Sequence, residues 1–184
     1  RKDYLPENIL GVVGHESSLE KLSSCLPKAL RVVAANDHEA EEVWKAPIQI
    51  LAVKPQQLAV VAEDASRFQV LESPRPLLIS LLAGVSLDHL QKVFPSHDCV
   101  RAVPNLPVLV EAGLIGLAWG NGLTNKQRLL IKELFSSSGE VLELPEKKLD
   151  AFLALTSSGP AYVALIVEAL ADGAVAAGLS RDLA

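Results

Sequence analysis

Short apolar runs alternate with longer amphipathic stretches along most of the chain. The runs are four to six residues long and apolar at consecutive positions, as in strands buried on both faces of a sheet. The amphipathic stretches repeat apolar residues every three to four positions, which predicts helices. We predict strands at residues 9–14, 30–34, 48–53, 77–82, 100–103, 114–119 and 141–144. Helices are predicted at residues 17–26, 56–68, 87–93 and 125–136, with a short acidic helix ending near Trp44.

Alternation of such strands with helices is typical of a mostly parallel sheet with helices on both faces. The predicted fold class is therefore α/β with a doubly wound sheet. The pattern changes after Pro145: residues 149–155 are helical, and Ser158-Gly159-Pro160 begins a second, alanine-rich helix. Proline is tolerated in a first helical turn, and Ser158 would be the N-cap. We assign residues 1–146 to the sheet domain and residues 147–184 to the start of an all-helical domain.

Composition excludes some classes of function. The 184 residues carry a formal net charge of −5 without a basic cluster, so neither nucleic acid nor an anionic membrane is an expected partner. Glu168 and Asp172 interrupt the most apolar stretch, which we interpret as a buried helix and not as a membrane span. Two cysteines and four histidines lack metal-ligand spacing, so no metal site is predicted. No signal peptide is visible, and a cytoplasmic location fits.

Residues that follow the predicted strands are informative, because ligands of a doubly wound sheet bind outside the carboxyl ends of its strands. Small residues, glycines and prolines recur there, and they would let a flat cofactor approach the backbone. The simpler alternative is that glycine and proline only end the strands. The positions are Gly14-His15-Glu16, Ala35-Asn36, Lys54-Pro55, Ala83-Gly84 and Pro104-Asn105.

A glycine-rich phosphate turn, Gly-x-Gly-x-x-Gly or Gly-x-Gly-x-x-Ala, should open a dinucleotide-binding sheet. The sequence contains no such turn, and Gly11 and Gly14 are not spaced to supply it. The chain starts at Arg1 and has no methionine. We therefore expect a first strand–turn–helix unit of roughly 20–25 residues ahead of Arg1.

Four stretches carry a family resemblance: LAVKPQ at residues 51–56, ISLLAGVSL at 79–87, VRAVPNLPVLVEAG at 100–113 and ALTSSGPAYVALIVEALADGAVAAGL at 154–179. In this order they resemble pyrroline-5-carboxylate reductases. The resemblance implies a Rossmann-like domain without its first unit, followed by the start of a helical dimerisation domain. It implies reduction of 1-pyrroline-5-carboxylate, a cyclic imine carboxylate, to L-proline with NADPH or NADH, the last step of proline biosynthesis. It also implies a homodimer or a higher homo-oligomer.

The resemblance assigns site residues position by position. The substrate-binding set is Glu146, Ser157 and Ser158, and no catalytic residue is assigned. A carboxylate at Glu146 would favour the protonated iminium, the better hydride acceptor; alternatively it is a surface charge beside Lys147 and Lys148. The cofactor-binding set is Gly14, Asn36, Ala52, Val53, Lys54, Pro55, Ala83, Gly84 and Asn105.

Two departures from the family pattern keep other functions open. Ser157 stands where the family has glycine, and Leu106 stands where it usually has threonine. One alternative is therefore a related nicotinamide-dependent enzyme for another imine or a hydroxyacid. Another is a non-catalytic fragment, and we expect the 184 residues alone to be inactive and poorly soluble.

Glu16 bears on the choice of coenzyme. A carboxylate after the first predicted strand would hydrogen-bond a free ribose diol and repel a 2′-phosphate, which favours NADH. Ser17 and Ser18 lie close by and would do the opposite, and the resemblance favours NADPH. Alternatively Glu16 is a solvated charge in the first turn of a helix.

Overall fold

The computed structural model describes residues 5–23, 25–68 and 75–184. Within them, seven strands form two sheets. In the first sheet β1 (Leu10–Val13) pairs in parallel with β2 (Arg31–Ala34). The second sheet has the order β3-β4-β5-β6-β7 and is parallel except for the β5–β6 pair. Its strands are β3 (Ile48–Leu51), β4 (Leu77–Ser80), β5 (Asp98–Val103), β6 (Gly113–Trp119) and β7 (Gly139–Glu143).

The α-helices of the described residues lie between or after the strands. α4 begins where the sequence predicts, because Thr124 Oγ1 accepts from Gln127 N–H while Gln127 Oε1 accepts from Thr124 N–H. The predicted acidic helix is a 3₁₀-helix, His38–Lys45, whose N-cap Asp37 accepts from the Glu39 N–H. The α-helices are α1 (Glu16–Ser23), α2 (Leu58–Ser66), α3 (Leu87–Val93), α4 (Asn125–Ser136) and α5 (Leu149–Ala176).

The five-stranded sheet has a hydrophobic core on each face. On one face Leu78 and Cys99 pack with α2, α3 and the first turns of α5. On the other face Ile79, Val100 and Ile115 pack with α4. All five of these side chains have no exposed surface, as expected where helices cover both faces of a sheet. The predicted α/β class with a doubly wound sheet is confirmed.

Among the described residues, no strand of the two-stranded sheet is hydrogen-bonded to a strand of the five-stranded sheet. β1 and β3 each have an open edge within the described residues. Every residue of β1 is only half-buried, and Ile50 of β3 is 49% exposed. The strand predicted at residues 9–14 is present, but its predicted burial is wrong, because a strand is enclosed only when neighbours cover its edges and its faces. The 3₁₀-helix His38–Lys45 joins the two parts, since Trp44 Nε1 donates to Asp64 Oδ2 of α2 at 2.9 Å.

α5 is one continuous helix, whereas the sequence predicts two. Pro160 lies inside the helix and not in a first turn, so the prediction that Ser158 is an N-cap is wrong. Within α5 only Leu149 and Thr156 are buried, so the expectation of a buried helix is wrong as well. By length and composition alone, Glu146–Ala176 is long and apolar enough to cross a membrane.

The predicted division after residue 146 falls in the 3₁₀-helix Glu146–Lys148, which links β7 to α5; it stays a prediction. The first turns of α5 pack closely on β6. A Cβ atom at Gly116 would lie 2.9 Å from the Phe152 ring, so this position requires glycine for the helix to approach the strand. Close packing at this point fixes where α5 leaves the sheet.

Candidate functional site

The turns after β1 and β3 lie side by side. A Cβ atom built on Gly14, which follows β1, would lie 3.8 Å from Gln57 Nε2 in the turn after β3. Gln57 Oε1 accepts from the Lys54 backbone N–H at 3.1 Å and so holds the Lys54-Pro55 turn. The structure therefore brings Gly14 to the predicted group Ala52, Val53, Lys54 and Pro55. The sequence analysis missed Gln57, whose signal is a glutamine in the first turn of a predicted helix.

The turn after β4 has an accessible backbone at the same carboxyl end of the sheet. Gly84 has φ of +72°, a conformation that favours glycine. A Cβ atom there would meet no atom within 4 Å, so the space beside the turn is free for a flat ligand. Because β4 is hydrogen-bonded to β3 in parallel, Ala83-Gly84 lies at the same carboxyl end of the sheet as Lys54-Pro55. The predicted cofactor-binding turns of these two strands are thus adjacent.

The ends of β1 and β2 carry a second predicted group. Asn36 Nδ2 donates to Glu16 Oε1 at 3.3 Å, and both side chains are exposed. The contact joins the start of α1 to the turn after β2. It places a carboxylate and an amide together at the carboxyl end of the two-stranded sheet. This is where the resemblance expects the adenosine end of the coenzyme.

Glu146, the last residue of the predicted sheet domain, is engaged in an ion pair with a buried arginine. Arg101 in β5 has a side chain only 6% exposed, and its Nη1 lies 2.9 Å from Glu146 Oε1. The same oxygen accepts from the Leu87 N–H, at the start of α3, at 2.7 Å. Asp150 lies 3.7 Å from Arg101 Nη2 but is largely exposed. Glu146 is therefore the main counter-charge of a buried arginine, and among the described residues its Oε2 accepts no hydrogen bond.

Arg101 was not predicted from the sequence. A single arginine within the apolar strand Val100–Val103 is the signal that could have found it, because a buried arginine requires a paired charge. The alternative that Glu146 is a surface charge beside Lys147 and Lys148 does not describe this geometry.

Asn105 is buried, and both polar atoms of its side chain are engaged. Its Nδ2 donates to the Thr156 carbonyl in α5 at 3.1 Å, and its Oδ1 accepts from the Leu114 N–H at 2.9 Å. The predicted contact with a cofactor does not use these atoms in this arrangement. Asn105 instead ties the turn after β5 to both β6 and α5.

Ser157 and Ser158 directly follow the anchored residue Thr156, and both are exposed. Their position in the chain puts them close to the carboxyl end of β5, where Asn105 contacts α5. The structure therefore brings the predicted substrate-binding serines to the same end of the sheet as the predicted cofactor turns.

His97 is the centre of a buried polar group away from these turns. Its Nε2 lies 3.0 Å from Gln49 Oε1, and the Gln49 amide donates to the Trp44 and Ala46 carbonyls. These bonds place the Gln49 carbonyl oxygen, which can only accept, beside His97. His97 therefore carries its proton on Nε2 and donates it to Gln49 Oε1. Burial lowers the pKa of His97, and Asp98 partly offsets the effect. Among the described residues His97 Nδ1 has no partner, so a proton added there would be a buried donor without an acceptor.

Comparison with known proteins covers the whole chain. Residues 146–184 match the family model described as pyrroline-5-carboxylate reductase dimerisation. A pyrroline-5-carboxylate reductase of Synechocystis sp. is 43% identical over an alignment of 185 positions, which covers 100% of this chain and 65% of that protein. One from Glycine max is 38% identical over 83% of this chain and 53% of its own length. The chain thus spans less than two thirds of these relatives.

Solved structures give the same result. The pyrroline-5-carboxylate reductase of Coxiella burnetii has a TM-score of 0.83 at 29% identity, over 99% of this chain and 66% of that one. A Plasmodium falciparum pyrroline carboxylate reductase with NADP bound has a TM-score of 0.78 at 26% identity, over 97% and 63%. A prephenate dehydrogenase of A. aeolicus, at 14% identity and a TM-score of 0.62, shares the fold alone. The resemblance seen in the sequence is confirmed.

Proposed function

We propose that this chain, as a member of the pyrroline-5-carboxylate reductase family, forms much of the coenzyme and substrate site of an enzyme that reduces 1-pyrroline-5-carboxylate to L-proline. The observation that carries the proposal is that the turns Lys54-Pro55 and Ala83-Gly84 lie together at the carboxyl end of the five-stranded sheet. The chain that holds them aligns along its full length with such a reductase. The anchored carboxylate of Glu146 supports it.

A nicotinamide coenzyme, NADPH or NADH, supplies a hydride when bound. The open backbone beside Gly84 fits such a ligand. Ala52, Val53, Lys54, Pro55 and Ala83 would hold the coenzyme beside its nicotinamide end, with Gly14 and Asn36 at the adenosine end. Asn105 would contribute through the position of its turn, because its side chain is engaged. The glycine-rich phosphate turn is not in this sequence.

The residues of the chain act on the substrate by binding and by charge. In the reaction the imine carbon gains a hydride, the nitrogen gains a proton, and the C=N double bond becomes a single bond. A carboxylate near the nitrogen stabilises its positive charge before hydride transfer. Glu146 Oε2, which the protein leaves without a donor among the described residues, would take this role. Ser157 and Ser158 would hydrogen-bond the substrate carboxylate.

The test uses a completed protein, in which the 184 residues replace the matching stretch of the Synechocystis reductase. We expect proline formation from 1-pyrroline-5-carboxylate with NADPH or NADH, and no turnover by the 184 residues alone. A folded completed protein without turnover with either coenzyme would contradict the proposal. Arg31→Met, at an exposed ion pair on the amino end of β2 and so opposite the strand ends that carry the proposed site, is the control that should keep full activity.

We further propose that α5 is covered by another copy of the chain and that the protein works in the cytoplasm as a homodimer or higher homo-oligomer. Apolar side chains are exposed along α5, and residues 146–184 match a dimerisation family. The net charge of −5, without a basic cluster in the sequence, supports a covered helix over a membrane location. Sedimentation of the completed protein tests it. A monomer at micromolar concentration would contradict it.

The second candidate is a reductase or dehydrogenase of another imine or a hydroxyacid. Ser157 in place of the family's glycine favours it, because this exposed side chain occupies space that a glycine leaves open and would change the shape of the substrate site. A panel of cyclic imines and hydroxyacids separates the two functions. Faster turnover of any other compound than of 1-pyrroline-5-carboxylate would favour the second.

A further inference from the structure

Pro160 removes one hydrogen bond from the middle of α5. In an α-helix the N–H of residue 160 would donate to the carbonyl of residue 156. Proline has no N–H, and its ring pushes against that carbonyl. The Thr156 carbonyl therefore loses its partner within the helix. Thr156 is 7% exposed, so water cannot easily replace the missing donor, and an unpaired buried carbonyl is unfavourable.

Asn105 supplies the missing donor from outside the helix. Its Nδ2 reaches the Thr156 carbonyl at 3.1 Å, a normal hydrogen-bond length. The amide is fixed from its other side, because Oδ1 accepts from the Leu114 N–H at 2.9 Å. Asn105 itself is 8% exposed. The Thr156 carbonyl thus lacks its helical donor because residue 160 is proline, and the replacement donor comes from the carboxyl end of β5.

We infer that Asn105 is a positioning residue, which replaces the helix hydrogen bond lost at Pro160 and thereby holds Ser157 and Ser158 at the carboxyl end of β5. The inference rests on the proposed function for the role of the two serines, but the hydrogen-bond exchange itself does not. It gives Asn105 a role different from the cofactor contact expected from the resemblance. It also gives Pro160 a reason to lie inside a helix, where proline is otherwise unfavourable.

A double-mutant cycle on the completed protein, without coenzyme or substrate, tests the exchange. Asn105→Leu keeps the number and branching of the side-chain heavy atoms and removes the donor, and Pro160→Ala restores the helical N–H. We expect Asn105→Leu to lower the urea midpoint clearly in the Pro160 background and much less in the Pro160→Ala background. Loss of the Leu114 contact is common to both backgrounds, so the cycle cancels it. If Asn105→Leu fails to fold, recovery of folding by the added Pro160→Ala is the expected result.

Gln49→Leu is the matched control. Gln49 is also a buried amide that donates to backbone carbonyls, but its partners are Trp44 and Ala46 and not α5. Its effect should be the same in both backgrounds. Equal effects of Asn105→Leu in the two backgrounds, or failure to fold in both, would overturn the inference.

Kinetics of the completed protein test the positioning. Misplacement of a substrate-positioning group by about 1 Å can lower the rate on the order of 100-fold. We expect Asn105→Leu to lower kcat/KM for 1-pyrroline-5-carboxylate by about 10- to 100-fold, with coenzyme Kd unchanged and partial rescue by Pro160→Ala. A weaker coenzyme Kd with unchanged substrate kinetics would overturn the positioning role. A completed protein without any turnover would instead count against the proposed function, while the unfolding cycle still decides the hydrogen-bond exchange.

Discussion

The two sheets have similar apolar strands but very different burial. In the five-stranded sheet, Ile79 and Val100 have no exposed surface, and helices cover both faces. In the two-stranded sheet, β1 is half-buried at every position and has an open edge. The difference shows that an apolar pattern alone does not bury a strand. Burial also requires neighbouring elements that cover the strand on both sides.

The same contrast divides the proposed site. The five-stranded sheet carries Lys54-Pro55, Ala83-Gly84 and the anchors of Glu146, which would hold the nicotinamide and the substrate. The two-stranded sheet carries Gly14, Glu16 and Asn36, at the proposed adenosine end. A bound coenzyme would bridge the two sheets. The well-packed part would therefore set stability and reaction geometry, while the open part would set coenzyme choice.

The largest effect is expected from the cores of the two sheets. Ile79→Ala should lower the free energy of unfolding by about 2–4 kcal/mol, because it leaves a cavity in a closed core. Val12→Ala in β1 should cost roughly 1 kcal/mol or less, because the side chain is already half in water. Urea unfolding measures both. Equal losses at the two sites would break the contrast between the sheets.

Next comes the ion pair of Arg101, on the central strand β5 of the five-stranded sheet. Glu146→Ala leaves Arg101 buried without its main counter-charge, and we expect a loss of about 2–3 kcal/mol. Glu42→Ala removes one of the two carboxylate partners of Arg31 at the start of β2, where both side chains are half-exposed, and should cost less than about 1 kcal/mol. Thermal unfolding at neutral pH compares them. A larger loss for Glu42→Ala would reverse the assignment of the structural charge.

A smaller effect concerns the pH dependence of the five-stranded sheet. The pKa of His97 is lowered by burial from its usual value of 6.5, so the unfolded chain binds a proton at a higher pH than the folded chain. The stability that neutral His97 contributes is present above about pH 6.5 and is lost as the pH falls below it. Urea midpoints between pH 7.5 and 5 should show this decline.

His97→Gln should flatten the decline in stability, and His38→Gln should not, because His38 is exposed on the 3₁₀-helix that follows β2. An unchanged slope in His97→Gln would show that other groups cause the acid sensitivity.

The smallest effect is expected at the two-stranded sheet. In the completed protein, Glu16→Ser removes the carboxylate that Asn36 holds, and the ratio of NADPH to NADH affinity should rise about tenfold. Stability should hardly change, because the side chain is exposed. Glu41→Ser, at an exposed position of the same charge, is the control with no expected change. An unchanged ratio in Glu16→Ser would leave Glu16 a solvated helix charge.

Local signals in the sequence were sufficient for most elements. The bounds of α4 at Asn125–Ser136 and of α3 at Leu87–Val93 match the prediction, because a Thr or Ser cap and apolar periodicity act over a few residues. The strand-end turns were also found, since parallel strands bring their carboxyl ends to one edge. Gln57 was missed because its approach to Gly14 joins residues that are distant in sequence. Arg101 was missed because it lies within an apolar run and its partner, Glu146, is far along the chain.

The sequence by itself determined the α/β class, the order of the elements and the turns that could hold a coenzyme, because these depend on periodicity, capping and chain order. Only the tertiary structure decided the burial of β1, the continuity of α5 through Pro160 and the partners of Glu146 and Asn105. The physical reason is the same in each case. A proline in a helix, a carboxylate at a boundary and an apolar strand each need a partner, and the partner is supplied by a distant part of the fold.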